Sequence, residues 1–191
     1  MEGVVRPPLF CDGVTTMNRS LLTVGWFALV SLVYLFQEAH AAEVYLEPDT
    51  FLAEVFGGSL PDPEVLWITK DRKAVTNRIM AHNKGPRRIR YWADGTRIAW
   101  ILEEIGKVKP ITTGYVVNNG KIERVTVLIY RESRGWEVRH KFFTDQFIGA
   151  TVDEDYRLDR GIDGISGATL SVDALTRLGR LALYLAEEIK N

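Results

Sequence analysis

The chain has 191 residues, 46% of them hydrophobic, which is enough for one folded domain with a buried core. Its formal net charge of −1 excludes a strongly basic surface, so no nucleic-acid partner is expected. The one cysteine, Cys11, excludes a disulfide framework, a cysteine-ligated zinc cluster and a cysteine-ligated iron–sulfur centre. Histidines 40, 82 and 140 lack metal-ligand spacing, so redox chemistry in this chain would need an organic cofactor.

Residues 1–41 are predicted to be an N-terminal extension and signal peptide. A stretch without charge over residues 20–36 follows Arg19 and precedes Ala39-His40-Ala41, which has the small-x-small pattern found before a cleaved bond. The stretch is close to the lower limit of about 17 residues for a membrane span, so an uncleaved anchor is the alternative. Either form predicts export, to the periplasm or to the outer side of a membrane. The remaining chain has no cysteine, which suits an oxidising compartment.

Residues 42–110 are predicted to be an N-terminal α/β part of the domain. A proline-led helix begins at Pro48 and ends at Gly57-Gly58, a strand follows over residues 65–69, and a polar helix follows over residues 71–80. Two alternating segments, 87–92 and 96–102, flank Asp94-Gly95 and predict a β-hairpin.

Residues 111–191 begin with a second predicted hairpin, in which segments 111–117 and 122–130 flank Asn118-Asn119-Gly120. A short helix is predicted over residues 142–147 and a long amphipathic helix over residues 172–190. Apolar residues at helical spacing define one face of the long helix: Val172, Leu175, Leu178, Ala182, Leu185 and Ile189. Two hairpins with helices grouped at the ends predict one α+β domain with an antiparallel sheet and a C-terminal amphipathic helix.

The segment most suggestive of chemistry is residues 163–171, which read DGISGATLS and directly precede the long helix. Its small residues let backbone N–H groups approach a ligand closely, and a helix N-terminus favours an anion. Both features favour a phosphate at Thr169, whose hydroxyl could then be esterified. The alternative on physical grounds is that this segment is only a capped helix start.

DGISGATLS resembles the signature of the FMN-binding domain family. That family includes the flavin-carrying small subunits of sodium-pumping NADH:quinone reductase and of the Rnf complex. In the family, the threonine after Gly-Ala receives FMN from a dedicated flavin transferase that uses FAD as donor. The resemblance implies FMN bound covalently through Thr169, with the rest of the signature at Asp163, Ser166, Gly167 and Ala168.

Two upstream stretches, residues 130–139 and 142–149, also resemble the family, and they add three cofactor-binding candidates. Glu137 and Arg139 are expected to approach the flavin or its phosphate, or else to form an ion pair at the sheet edge. Gln146 is expected to hydrogen-bond the flavin edge or to cap a turn. Four tryptophans are candidates for a stacking wall or for plain core packing: Trp67, Trp92, Trp100 and Trp136.

The resemblance predicts an exported electron-transfer flavoprotein whose partners are the flavin transferase and membrane or periplasmic redox proteins. An FMN-dependent reductase with its own small substrate is one alternative, and a flavin-binding sensor without turnover is another. The complete acceptor motif argues against a flavin-free version, and no residue is predicted to act as a catalytic group.

Overall fold

The computed structural model describes residues 42–190, so the predicted targeting segment lies outside the described residues. Within that part of the chain, no helix combines the length and the apolar character that a membrane span requires.

Six antiparallel strands form one sheet. In chain order they are β1 (Glu43–Val44), β2 (Glu64–Trp67), β3 (Arg88–Asp94), β4 (Arg97–Ile105), β5 (Pro110–Asn118) and β6 (Lys121–Tyr130). Their order across the sheet is β1-β6-β5-β4-β3-β2, so β2 to β6 form a meander and β1 pairs with the outer edge of β6. Both predicted parts, 42–110 and 111–191, therefore contribute strands to one sheet.

The two predicted hairpins are present. Asn118 pairs with Lys121 across a two-residue loop in which Asn119 and Gly120 both have positive φ, 51° and 77°, as in a type I′ turn. Asp94 pairs with Arg97 across the other two-residue loop, which Gly95 begins with a φ of 58°. The prediction of an antiparallel sheet is confirmed.

Within residues 42–190, four α-helices accompany the sheet: α1 (Pro48–Val55), α2 (Lys70–Met80), α3 (Lys141–Thr144) and α4 (Thr169–Lys190). Short 3-10 helices cover Trp136–Arg139 and Asp145–Phe147, so the helix predicted over 142–147 is divided between α3 and the second 3-10 helix. Helix α4 begins at Thr169, three residues before the predicted start at 172. The predicted α+β class with a C-terminal helix is confirmed.

Helix α4 packs on one face of the sheet. Leu175, Ala182 and Leu185 are fully buried, as the helical spacing predicted. The burial also extends around the helix over residues 181–186, because α2 packs against the same helix from the side. The large sheet residues beneath α4 include Trp100 and Tyr115, both with no exposed surface.

The opposite face of the sheet is covered by α1 through Phe51 and Leu52. The Phe51 ring lies so close to Gly114 of β5 that a Cβ atom on Gly114 would be 2.5 Å from the ring Cζ. Glycine is therefore required in mid-strand, where it is otherwise unfavourable. The sheet is thus sandwiched between α1 and α4.

We expect Gly114→Ala to destabilise the domain by about 1 to 3 kcal/mol, because the added methyl group must displace a buried aromatic ring. Gly161→Ala is the matched control, since a Cβ there would meet no atom within 4 Å and the backbone is not in the left-handed region. Urea unfolding monitored by circular dichroism measures both. Equal stability of the two variants would contradict the packing of Phe51 on Gly114.

Candidate functional site

The motif segment is a tight turn followed directly by α4. The amide of Ala168 donates to the carbonyl oxygen of Ile165 at 2.9 Å, and Gly167 has a φ of 81°, as in the third position of a type II turn. The amide of Val172 then donates to the carbonyl oxygen of Ala168 at 3.0 Å, which is the first bond of the helix. Thr169 is consequently the first residue of α4.

Burial changes abruptly inside the motif. Ala168 is 3% exposed and belongs to the main core, whereas Thr169 next to it is exposed. Asp163 and Ser166 are exposed as well. Gly164 and Gly167 border open space, because a Cβ atom on either would have no atom within 4 Å. The Thr169 side chain is therefore accessible, with free volume beside it, on a backbone anchored by Ala168.

Gln146 fastens the motif to the segment before it. Its Oε1 accepts a hydrogen bond from the backbone amide of Asp163 at 2.7 Å, and its Nε2 donates to the carbonyl oxygen of Phe142 at 3.4 Å. Of the two roles expected for Gln146, these contacts match the stabilisation of a turn. Its contact with a flavin stays a prediction.

Arg139 and Glu137 lie on the first 3-10 helix. The Arg139 guanidinium stacks on two aromatic rings. Its Cζ atom lies 4.2 Å from the centroid of the Tyr45 ring and 4.9 Å from the centroid of the Trp136 ring. Among the ion pairs of residues 42–190, none joins Glu137 to Arg139, so the expected alternative of an ion pair between them is wrong. Arg139 instead stacks on the two aromatic rings, and this contact holds the Trp136 ring in place.

Of the four candidate tryptophans, Trp136 directly follows Gly135, which packs against Ala168 of the motif. Trp100 is buried in the core between the sheet and α4, and Trp92 is buried in the core between the sheet and α1. Trp67 is exposed, but its carbonyl oxygen bonds to the Arg72 side chain, which pairs with Glu188 at the far end of α4. At 1.5 Å per residue, that end is about 28 Å from Thr169 along the helix.

Trp136 belongs to an exposed aromatic row that also contains His140 and Phe142. The His140 ring lies between the other two, with centroid distances of 5.4 Å to Trp136 and 6.0 Å to Phe142. Trp136 is 41% exposed and Phe142 is 63% exposed. Gly135 packs against Ala168, and Gln146 joins Phe142 to Asp163, so the motif contacts the segment that carries this row at both ends. The segment with the exposed aromatic row is therefore fastened to the motif that presents the accessible Thr169 hydroxyl.

The β4–β5 turn, which lies beneath the first turn of α4, is organised by Glu132. Its Oε1 accepts hydrogen bonds from the backbone amides of Lys107, Val108 and Lys109 at 2.6, 2.6 and 2.8 Å. Desolvation acts to raise the pKa of Glu132, but the three amide donors act together to lower it below its usual range. Sequence reasoning did not single out Glu132, although it lies in the stretch at residues 130–139 that carries the resemblance.

An exposed hydroxyl after a glycine turn, at the N-terminus of a long helix, is an arrangement suited to a phosphate-bearing ligand. Residues 106–184 match the model of the FMN-binding domain family, and this region of the chain belongs to that family. The match begins in the β4–β5 turn and ends in α4, so it includes the motif, the aromatic row and Glu132. No curated protein matches the chain. The predicted family is confirmed, and the match supports a flavoprotein role with FMN as cofactor.

We expect the stability contributed by Glu132 to depend on pH. Because its folded-state pKa lies below the unfolded value near 4.5, the contribution is complete above that pH and is lost as the pH falls through the folded-state pKa. Glu132→Gln should therefore cost about 1 kcal/mol at pH 7, a modest value because the side chain is partly exposed, and almost nothing at strongly acidic pH.

Urea unfolding at a series of pH values measures this difference, with Glu187→Gln on the exposed surface of α4 as control. A cost for Glu132→Gln that stays constant from neutral to acidic pH would refute the assignment of these three hydrogen bonds to the ionised carboxylate.

Proposed function

We propose that this chain carries one FMN covalently, as a phosphoester of the Thr169 hydroxyl, and that it transfers electrons outside the cytoplasm. The observation that carries the proposal is the exposure of Thr169 directly after the buried Ala168, at the start of α4. The hydroxyl is open to an incoming enzyme, while its backbone is fixed by the core.

The first turn of α4 fits a phosphate group. In any α-helix the first amides have no partner within the helix, and Thr169, Leu170 and Ser171 occupy those positions here. The helix has 22 residues, and its N-terminus carries a partial positive charge that stabilises an anion by about 0.3 to 1 kcal/mol at an exposed site. A phosphodiester on Thr169 would keep one negative charge at this position.

In the proposed attachment, the Thr169 Oγ1 attacks the phosphorus of FAD that belongs to its FMN half. A new oxygen–phosphorus bond forms to Thr169 as the pyrophosphate bond of FAD breaks, AMP leaves, and the hydroxyl proton is released to solvent. Electrons are not exchanged in this step, so no oxidant or reductant is required. The dedicated flavin transferase is the proposed partner, and FAD is its second substrate.

The aromatic row of Trp136, His140 and Phe142 is the proposed surface for the isoalloxazine ring. Aromatic faces bind a flat aromatic ligand by stacking, and Trp136 is already oriented by Arg139. Once bound, FMN supplies the capacity to accept and donate one or two electrons. The residues of this chain orient the cofactor and leave it accessible to membrane or periplasmic redox partners.

The open position of Thr169 favours a carrier over a reductase with its own substrate, because a reductase needs a cavity that encloses substrate beside the flavin. A cleft of about 540 Å³ does lie along the edge of β6, with Arg124, Arg139 and Lys141 in its lining. Its lining contains no motif residue.

We expect Thr169→Ala to abolish flavin attachment while changing the free energy of unfolding by less than about 1 kcal/mol, since an exposed methyl and hydroxyl are lost. Thr169→Ser should keep part of the loading, because it retains a nucleophilic oxygen. Thr96→Ala, at an exposed threonine in the β3–β4 turn, is the control. Intact mass after production with a flavin transferase measures loading. Flavin fluorescence from denatured Thr169→Ala would disprove the attachment site.

We further expect the flavin-bearing protein outside the cytoplasm, either free or held by one N-terminal helix. The motivation is the uncharged stretch over residues 20–36 between Arg19 and the small-x-small site. Cell fractionation with and without a carbonate wash distinguishes the two forms. Recovery of the flavin-bearing protein mainly from the cytosol, with the stretch at residues 20–36 still attached, would refute export.

A further inference from the structure

Two buried hydroxyl groups lie directly beneath the first turn of α4. The Tyr130 hydroxyl donates to the carbonyl oxygen of Arg134 at 2.6 Å and lies 3.0 Å from the Ser171 Oγ. A carbonyl oxygen only accepts, so the single tyrosine proton is used there, and Ser171 must donate to the tyrosine oxygen. Tyr130 is 1% exposed and Ser171 is 4% exposed. Burial raises the pKa of Tyr130, while the hydrogen bond from Ser171 acts to lower it.

Gly135 packs against the contact between the Tyr130 and Ser171 hydroxyl groups. It has a φ of 88°, and a Cβ atom there would lie 2.9 Å from the Ser171 Oγ, 2.9 Å from the Tyr130 hydroxyl and 3.3 Å from the Ala168 Cβ. The end of β6, the start of the 3-10 helix with Trp136, and the start of α4 therefore meet at one point. No side chain other than hydrogen fits between them.

The first turn of α4 is the part of the helix with the fewest backbone hydrogen bonds. Ser171 is two residues after Thr169, about 200° around the helix axis, so it faces the core while Thr169 faces solvent. A hydrogen bond from Ser171 into the core therefore restricts rotation and fraying of the turn that presents the Thr169 hydroxyl.

We infer that Tyr130 and Ser171 are positioning residues for flavin attachment. Their hydrogen bond holds the Thr169 hydroxyl in register with the aromatic row that begins at Trp136. This inference rests on the proposed function of Thr169 as flavin acceptor. Neither residue touches the reacting phosphorus, and both act through the backbone of the turn that they hold.

The experiment follows the rate of flavin attachment to Tyr130→Phe and Ser171→Ala. Full-length protein produced without a flavin transferase is mixed with the transferase and FAD, and the mass gain is followed over time. Ser171→Ala loses one buried neutral hydrogen bond, which corresponds to about a five-fold lower initial rate. Tyr130→Phe loses two hydrogen bonds, to the Arg134 carbonyl oxygen and from Ser171, so its initial rate should fall at least as far. Final loading should still reach that of the unchanged protein, because Thr169 is intact.

Tyr115→Phe is the matched control. Tyr115 is also fully buried, and its hydroxyl also donates to a backbone carbonyl, that of Leu175 at 2.7 Å, about one turn after Ser171 in α4. Tyr115→Phe loses one buried hydrogen bond, as Ser171→Ala does, so it should lower the melting temperature to a similar extent as Ser171→Ala and leave the attachment rate unchanged. If Tyr130→Phe does not fold, the attachment rate of Ser171→Ala alone tests the positioning role.

A second measurement needs no flavin. In the flavin-free protein, amide hydrogen exchange across the Trp136–Arg139 helix should be faster in Ser171→Ala and Tyr130→Phe than in Tyr115→Phe. An attachment rate for Ser171→Ala equal to that of the unchanged protein would overturn the positioning role, and so would an equal slowing in Tyr115→Phe. No mass gain in the unchanged protein would instead overturn the proposed function, and this inference with it.

Discussion

Helix α4 is held on the sheet by a row of buried side chains, and the DGISGATLS motif lies at the N-terminal end of that row. Leu175 and Ala182 pack on the sheet, and Tyr115 of β5 donates a hydrogen bond to the Leu175 carbonyl oxygen. Because the helix is one rigid element of 22 residues, this packing sets the position of its N-terminus. Ala168 is buried at this end of the helix, and Thr169, the next residue, is exposed.

The position of Thr169 at the edge of the core, rather than within a cavity, has a thermodynamic consequence for a bound flavin. A cofactor on an open surface buries little area, and non-covalent binding there would be weak. A covalent ester makes tight non-covalent binding unnecessary, because the cofactor stays attached without an enclosing pocket. The exposed motif and the proposed covalent linkage therefore explain each other, and exposure also leaves the flavin free to meet redox partners.

The site depends on three segments that are far apart in sequence. The β4–β5 turn is fixed by Glu132, the Trp136–Arg139 helix is preceded by Gly135, and the motif turn is fastened by Gln146. Glu132 and Gln146 accept hydrogen bonds from backbone amides, and Gly135 occupies a space that admits no Cβ atom. Backbone-directed contacts of this kind hold the turn in one geometry without occupying the face that the ligand needs.

Local patterns in the sequence were sufficient for most of the elements. The Asn119-Gly120 turn and the apolar face from Val172 to Leu185 are signals that depend on local backbone preference and periodicity. The DGISGATLS motif is local as well, but its assignment to FMN came from the family resemblance. The two-residue strand β1 and the Trp136–Arg139 helix were missed because they are too short to show a period.

Only the tertiary structure decided which distant residues surround the motif. Periodicity shows that a residue is buried but not what it contacts, so the sequence could not distinguish Trp136 beside the motif from Trp67 at the far end of α4. It offered an ion pair with Glu137 as one of two roles for Arg139, whereas the fold stacks Arg139 on Tyr45 and Trp136. The physical reason is that hydrogen bonds and ring contacts across the sheet depend on strand order and helix placement, which no local pattern records.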